Sequence, residues 1–172
     1  MIDGPAPRWP AVLATAVFLV IAPGTIAGLI PWWISRWRFE TPFAWWFPHR
    51  VIGGALIAAG AAVLLDSFAR FALQGLGTPA PVFPTRTLVV TGLYRYVRNP
   101  MYVAVLSLVV GQGLVFGNLD LFGYAAIVWV SFHLFVLGYE EPKLRRTYGA
   151  EYERFCANVP RWIPRLRAWA NS

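Results

Sequence analysis

An all-α integral membrane bundle is predicted by three features of the sequence: its apolar share, the spacing of its uncharged runs, and the placement of its basic residues. The 172-residue chain is 58% hydrophobic and only 13% charged, whereas soluble domains are about 45–50% apolar. Four stretches, 11–30, 51–73, 101–118 and 121–140, approach the roughly 17–25 residues that cross hydrocarbon as a helix. They predict a single membrane domain over 1–172, with about four transmembrane helices and a C-terminal segment, 141–172. Of the 15 basic residues, only Arg36, Arg38 and Arg50 fall on one side of a four-span arrangement. By the positive-inside rule the other side, with both termini, is cytoplasmic, and a bacterial inner membrane is the expected location.

The first span resembles a signal peptide only superficially, because it is long for an h-region and lacks a small-x-small cleavage site. Pro23 and Gly24 can kink it where neighbouring helices re-satisfy the freed backbone groups. Trp32, Trp33, Trp37, Trp45 and Trp46 then crowd the first connection. Tryptophan prefers the headgroup level, so they predict an aromatic belt, some of whose rings could line a substrate entrance. The second span is rich in small residues, Gly53, Gly54, Ala55, Ala58, Ala59, Gly60, Ala61 and Ala62, which let membrane helices approach closely. It is the expected central packing helix, continued past an Asp66–Arg70 pair at i, i+4 spacing.

Gly75, Gly77, Pro79, Pro81 and Pro84 predict a stiff, non-helical link. Gln112 in the third span and His133 in the fourth are polar groups at membrane depth, explained by interhelical hydrogen bonds or by function. The short link from Gly117 to Asp120 predicts an antiparallel hairpin. Beyond it, Leu144, Tyr148, Tyr152 and Phe155 recur at helical spacing, predicting an amphipathic continuation against the membrane or over a site. The Arg-rich end from Arg161 to Arg167 reads as a surface anchor.

The net charge of +7 would suggest nucleic acid in a soluble protein. Here the cations flank apolar spans and need only meet lipid phosphates, so membrane lipids are expected as partners and nucleic acid is not. The lone Cys156 cannot close an intramolecular disulfide, and no Cys and His cluster has metal-ligand spacing. No metal is expected.

The stretch from Arg86 to Tyr102 concentrates cationic, aromatic and polar groups directly before the third span. Gly92 permits a turn that other residues resist, and Pro100 pushes Asn99 out of the α region. An ordered connector ending at a helix start follows, its amides available to a ligand; the plainer reading is a basic juxtamembrane loop that sets topology.

Two separated motifs within this framework resemble one family. Arg86-Thr87-Leu88-Val89, Gly92-Leu93-Tyr94 and Arg98-Asn99-Pro100-Met101-Tyr102 look like the cofactor-binding stretch of the isoprenylcysteine carboxyl methyltransferase and phospholipid methyltransferase superfamily. Glu140-Glu141-x-x-Leu144, Tyr148-Gly149, Tyr152, Val159-Pro160 and Pro164 are similar to its C-terminal signature. The resemblance implies a membrane enzyme that uses S-adenosyl-L-methionine without a Rossmann domain, its cytoplasmic cofactor site formed by the connector before the third helix and the C-terminal segment. Carried over by position, cofactor contacts fall on Thr87, Leu88, Val89, Tyr94, Asn99, Pro100, Met101, Tyr102 and Glu140, and the candidate catalytic residues are Asn99, Tyr102 and Glu140. Asn99 stands where the family pattern has histidine. Val136 stands where carboxylate-methylating relatives place an arginine, which makes a prenylcysteine carboxylate a poor acceptor and an uncharged or weakly basic one a better fit.

The chemistry of the donor agrees with these positions. Its α-amino group needs a carboxylate, from Glu140 or Glu141; its carboxylate needs cationic or amide donors, from Arg95, Arg98 and backbone N–H groups; its base needs rings, from Tyr94, Tyr96 and Tyr102. Methyl transfer is an in-line displacement that requires positioning and exclusion of water more than an acid or base. The expected acceptor is a lipophilic small molecule or lipid entering from the bilayer. The competing readings are a membrane reductase using NADPH and a non-catalytic accessory protein.

Overall fold

A computed structural model describes residues 9–42, 44–73, 88 and 90–170. The stiff link expected through Gly75, Gly77, Pro79, Pro81 and Pro84, and the expected cofactor contacts Thr87 and Val89, lie outside these residues. The described residues contain helices and no strand. Helix α1 (Trp9–Gly24), a π turn (Thr25–Leu29) and α2 (Ile30–Ser35) follow one another without interruption, and α3 spans Phe47–Leu73. Helix α4 (Pro100–Phe116) and α5 (Asp120–Phe135) form the hairpin, and a second π turn (Val136–Glu140) leads into α6 (Glu141–Tyr148) and α7 (Ala150–Asn158).

Among the described residues three segments are long and apolar enough to cross a membrane: Val17–Ser35, Phe47–Arg70 and Asp120–Tyr148. The third expected span, α4, is shorter at 17 residues. Gly117 closes it in the left-handed conformation, φ 73°, the usual glycine stop just past a helix end.

The irregularity expected at Pro23 and Gly24 falls instead on the π turn that follows them. Pro31 has no N–H, so the Ala27 carbonyl lacks its donor one turn on. The Ile30 amide reaches back to Thr25, which frees the Ile26 carbonyl as well. Both find side-chain donors on neighbouring helices. Gln112 Nε2 bonds the Ala27 carbonyl at 2.7 Å and Tyr124 Oη bonds that of Ile26 at 2.9 Å. Gln112 is therefore an interhelical tie, as its plainer reading held, and Trp37 Nε1 donates to its Oε1 at 3.1 Å.

Helices α3 and α4 pair most extensively, backbone against backbone. A Cβ on Gly53 would stand 2.6 Å from the Gly111 carbonyl oxygen and 2.7 Å from Leu114 Cβ, so only glycine permits this approach. Such contact is what holds membrane helices together when water-driven burial is absent. Leu64, Phe68, Ala104 and Val105 form the buried centre, with Phe18, Ile26 and Phe132 packed against it. At one end of the bundle the first connection is pinned by the Glu40 amide on the Phe116 carbonyl and by Trp46 Nε1 on the Leu114 carbonyl. Trp46 is buried while Trp33 and Trp45 are exposed, so the expected aromatic belt is part belt and part structural clamp.

At the other end, the single amphipathic continuation expected after Glu141 is broken at Gly149, φ 51°. The break turns α7 back so that Tyr152, Phe155 and Val159 pack with Leu144, Tyr148, Leu88, Val90 and Trp169. The apolar stripe covers the connector rather than a separate surface.

Candidate functional site

The connector before α4 reaches the bundle through a 3₁₀ turn, Gly92–Arg95. Gly92 has φ 56°, and the guanidinium of Arg70 occupies the space its Cβ would need. Asp66 holds that guanidinium through two hydrogen bonds of 2.8 and 2.9 Å, so the pair read from i, i+4 spacing also seats the turn. Asn99 follows with φ −121° and ψ 56°, and buried Pro100 opens α4. Proline is tolerated there because the first-turn N–H has no helical partner.

Over the connector runs a C-terminal strap, 159–170. The Arg98 amide bonds the Pro160 carbonyl, the Arg165 amide that of Tyr96, and the Trp169 amide that of Arg95, each at 2.9 Å. Arg95 Nε returns to the Trp169 carbonyl at 2.7 Å, and buried Asn99 donates Nδ2 to the Arg161 carbonyl at 3.2 Å. Arg95 and Asn99 thus tie the strap down. Arg98 carries a second set of contacts through its side chain.

The adjacent carboxylates have opposite surroundings. Glu141, 4% exposed, accepts from Arg161 Nε at 2.6 Å and Nη2 at 3.1 Å and from Arg98 Nη1 at 3.1 Å, with Arg145 Nη2 at 3.9 Å. The hydrogen bond to Glu141, followed by the charge of that carboxylate, raises the Arg161 pKa against the opposing effect of burial. Glu140 points elsewhere and accepts the Tyr102 hydroxyl at 2.9 Å. The π turn separates the two. Pro142 follows it as Pro31 follows the first, and the Glu141 amide reaches back to Val136; single π turns of this kind recur at functional sites.

Tyr102 stands between two compartments. Its ring packs on Phe132 at 4.6 Å and, edge-on, against Trp162 at 6.4 Å. It also lines an apolar cavity of about 410 Å³ between α1, α3, α4 and α5, with Met101, Phe18, Leu64, Val105 and Phe132 among the walls. Tyr94 lies close enough to Glu140 and Asp66 to feel both charges. Enclosure, then the Glu140 charge, push its phenol well above the ordinary tyrosine range, so it remains a protonated donor. Leu88 packs under α7, Met101 faces the cavity, and the buried Nε of Arg98 has no partner among the described residues.

Of the predicted residues, Tyr94, Arg98, Asn99, Pro100, Met101, Tyr102, Glu140 and Glu141 converge at this end of the bundle, with Leu88 at its edge. Sequence reasoning missed Arg161 and Trp162. Trp162 Nε1 donates to His133 Nδ1 at 3.2 Å, so the polar group in the fourth span is satisfied by the strap and not by another spanning helix. Their signal was available, an Arg-Trp pair directly after the Val159-Pro160 motif, but the Arg-rich composition suggested a surface.

Among the described residues no group of His, Cys, Asp and Glu could hold a metal ion. Among the described residues the arrangement offers a half-buried carboxylate, Glu140, with acceptor capacity to spare, a guanidinium nitrogen without a partner, and an apolar chamber that meets the carboxylate at Tyr102. A family model described as Phospholipid methyltransferase matches residues 48–151, which include all of α3 but its first residue, the connector, α4, α5 and both glutamates. No curated protein shows significant similarity to the chain.

Proposed function

The chain belongs to the phospholipid methyltransferase family, and from that premise we propose that this membrane methyltransferase moves the methyl group of S-adenosyl-L-methionine to a lipophilic or amphiphilic acceptor from the bilayer. The observation that carries the reading is the position of Tyr102, whose ring lines the apolar cavity while its hydroxyl holds Glu140. The residues fit such a donor. Glu140 has one hydroxyl partner among the described residues and can take an α-ammonium group, whereas the Glu141 carboxylate is engaged by Arg98 and Arg161. The Nε of Arg98, without a partner among the described residues, suits a carboxylate.

When bound, the donor supplies an electrophilic methyl on a sulfonium. Tyr102 fixes the Glu140 carboxylate, and Tyr94, a protonated phenol, adds a hydroxyl and a ring beside it. The apolar cavity holds the acceptor's hydrocarbon and keeps water away, so catalysis rests on orientation and exclusion of solvent. Asn99, Leu88 and Pro100 act by shaping the connector, and Glu141 by fixing Arg98. Val136 is buried and apolar one turn before the glutamates. A desolvated acidic acceptor would find no cation there, which favours an uncharged or weakly basic nucleophile.

The test is product analysis. Purified protein incubated with S-adenosyl-L-methionine carrying a labelled methyl and a native lipid extract should place label in an organic-phase product. Label confined to the aqueous phase, or none transferred by folded protein, would contradict the proposal.

A further inference from the structure

The C-terminal strap 159–170 is non-helical, yet part of it reaches the apolar Asp120–Tyr148 segment. Trp162 bonds His133, which precedes Glu140 by seven residues on the Asp120–Tyr148 span, or about 10 Å at 1.5 Å per residue. Its outward side chains differ from those of α7 beside it. On α7 the exposed positions include Glu151, Glu153, Arg154 and Asn158, a face for water. On the strap, Ile163 is 78% and Leu166 99% exposed, with exposed Arg167 next to Leu166 and no acidic residue between 159 and 170.

Arg161 is committed to Glu141 and Arg165 to the Asn158 carbonyl, which leaves Arg167 pointing outward. Two large aliphatic side chains beside an arginine, on a segment reaching below the helix end, match the acyl–headgroup boundary in both polarity and charge. The backbone of such a segment must be satisfied inside the protein at that depth, and here the connector supplies Tyr96 and Arg95 carbonyls to the Arg165 and Trp169 amides.

We propose that the strap is an interfacial anchor that inserts Ile163 and Leu166 into the surrounding bilayer and pairs Arg167 with anionic lipid headgroups. It is continuous with the membrane surface of α5, so the bilayer is its partner. Through its bonds to Arg95, Tyr96 and Arg98 the anchor holds the connector in place.

Nitroxide labels at position 166 and, as a water-facing control, at position 151 would be placed singly in a Cys156→Ser background and reconstituted in nanodiscs. Relative to a water-soluble nickel chelate, oxygen should collide several-fold more often with the label at 166 than with that at 151. Adding phosphatidylglycerol to phosphatidylcholine discs should deepen 166, and Arg167→Glu should abolish that response. Equal nickel access at the two positions would overturn the anchor, and an unchanged depth on adding anionic lipid would overturn the role of Arg167. The labels report on position in the otherwise native strap, so the outcome does not depend on any variant of Leu166 folding with a charge.

Discussion

Neighbouring glutamates at the end of one helix serve opposite ends because their partners differ. Glu141 is buried among Arg98, Arg145 and Arg161, and removing its charge strands cations. Loss of one partner from a buried pair costs about 3–5 kcal/mol. Arg161 is partly solvated, so Glu141→Gln should fall toward the lower part of that range and appear as a clear drop in thermal midpoint in detergent. Tyr102→Phe should leave the midpoint nearly unchanged and slow methyl transfer, since the ring still fills its place while the bond to Glu140 is lost; a variant as active as the parent would remove Tyr102 from the site. The adjacent carboxylates were legible in the sequence as a candidate pair. Which of them was free was not, because the answer depends on Arg161, 20 residues away, and on a π turn that changes the angle between successive side chains.

Both π turns are followed by a proline whose missing N–H disturbs the helix before it. In the first, Gln112 and Tyr124 supply the donors that the helix lost. Gln112→Leu should therefore destabilise the bundle by about 1–3 kcal/mol, the cost of an unpaired buried acceptor. In a Pro31→Ala background, which restores an amide to the segment, the same change should cost measurably less. Equal costs in both backgrounds, read from chemical denaturation, would show that the pairing with Ala27 is incidental. The small-residue face of α3 was legible because close helix approach demands it, and Gly53 meets Gly111 as that reasoning requires. The path of the strap was not, since no periodicity marks a non-helical segment whose order comes from bonds to a distant connector.

The bundle places its polar machinery at one end and its short hydrophobic connection at the other. Arg36, Arg38 and Arg50 lie with that connection, while Arg70, Arg95, Arg98 and Arg161 gather at the site. From the charge bias we propose that the site faces the cytoplasm: an impermeant thiol reagent should label a cysteine at position 38 from outside intact cells and one at position 154 only after permeabilisation. The reverse pattern would invert the topology. The family was legible from the two motifs, and the matched region, 48–151, contains the first of them and both glutamates. We propose Glu140 as the carboxylate that receives the methyl donor. Calorimetric titration of the purified protein, wild type and Glu140→Gln, with S-adenosyl-L-methionine, S-adenosylhomocysteine and NADPH tests it most directly. The wild type should bind the first two and not NADPH, with the variant folded and weaker by about 10- to 150-fold, the equivalent of the roughly 1.5–3 kcal/mol of a charged hydrogen bond; NADPH binding, or equal donor affinity in the two proteins, would contradict it.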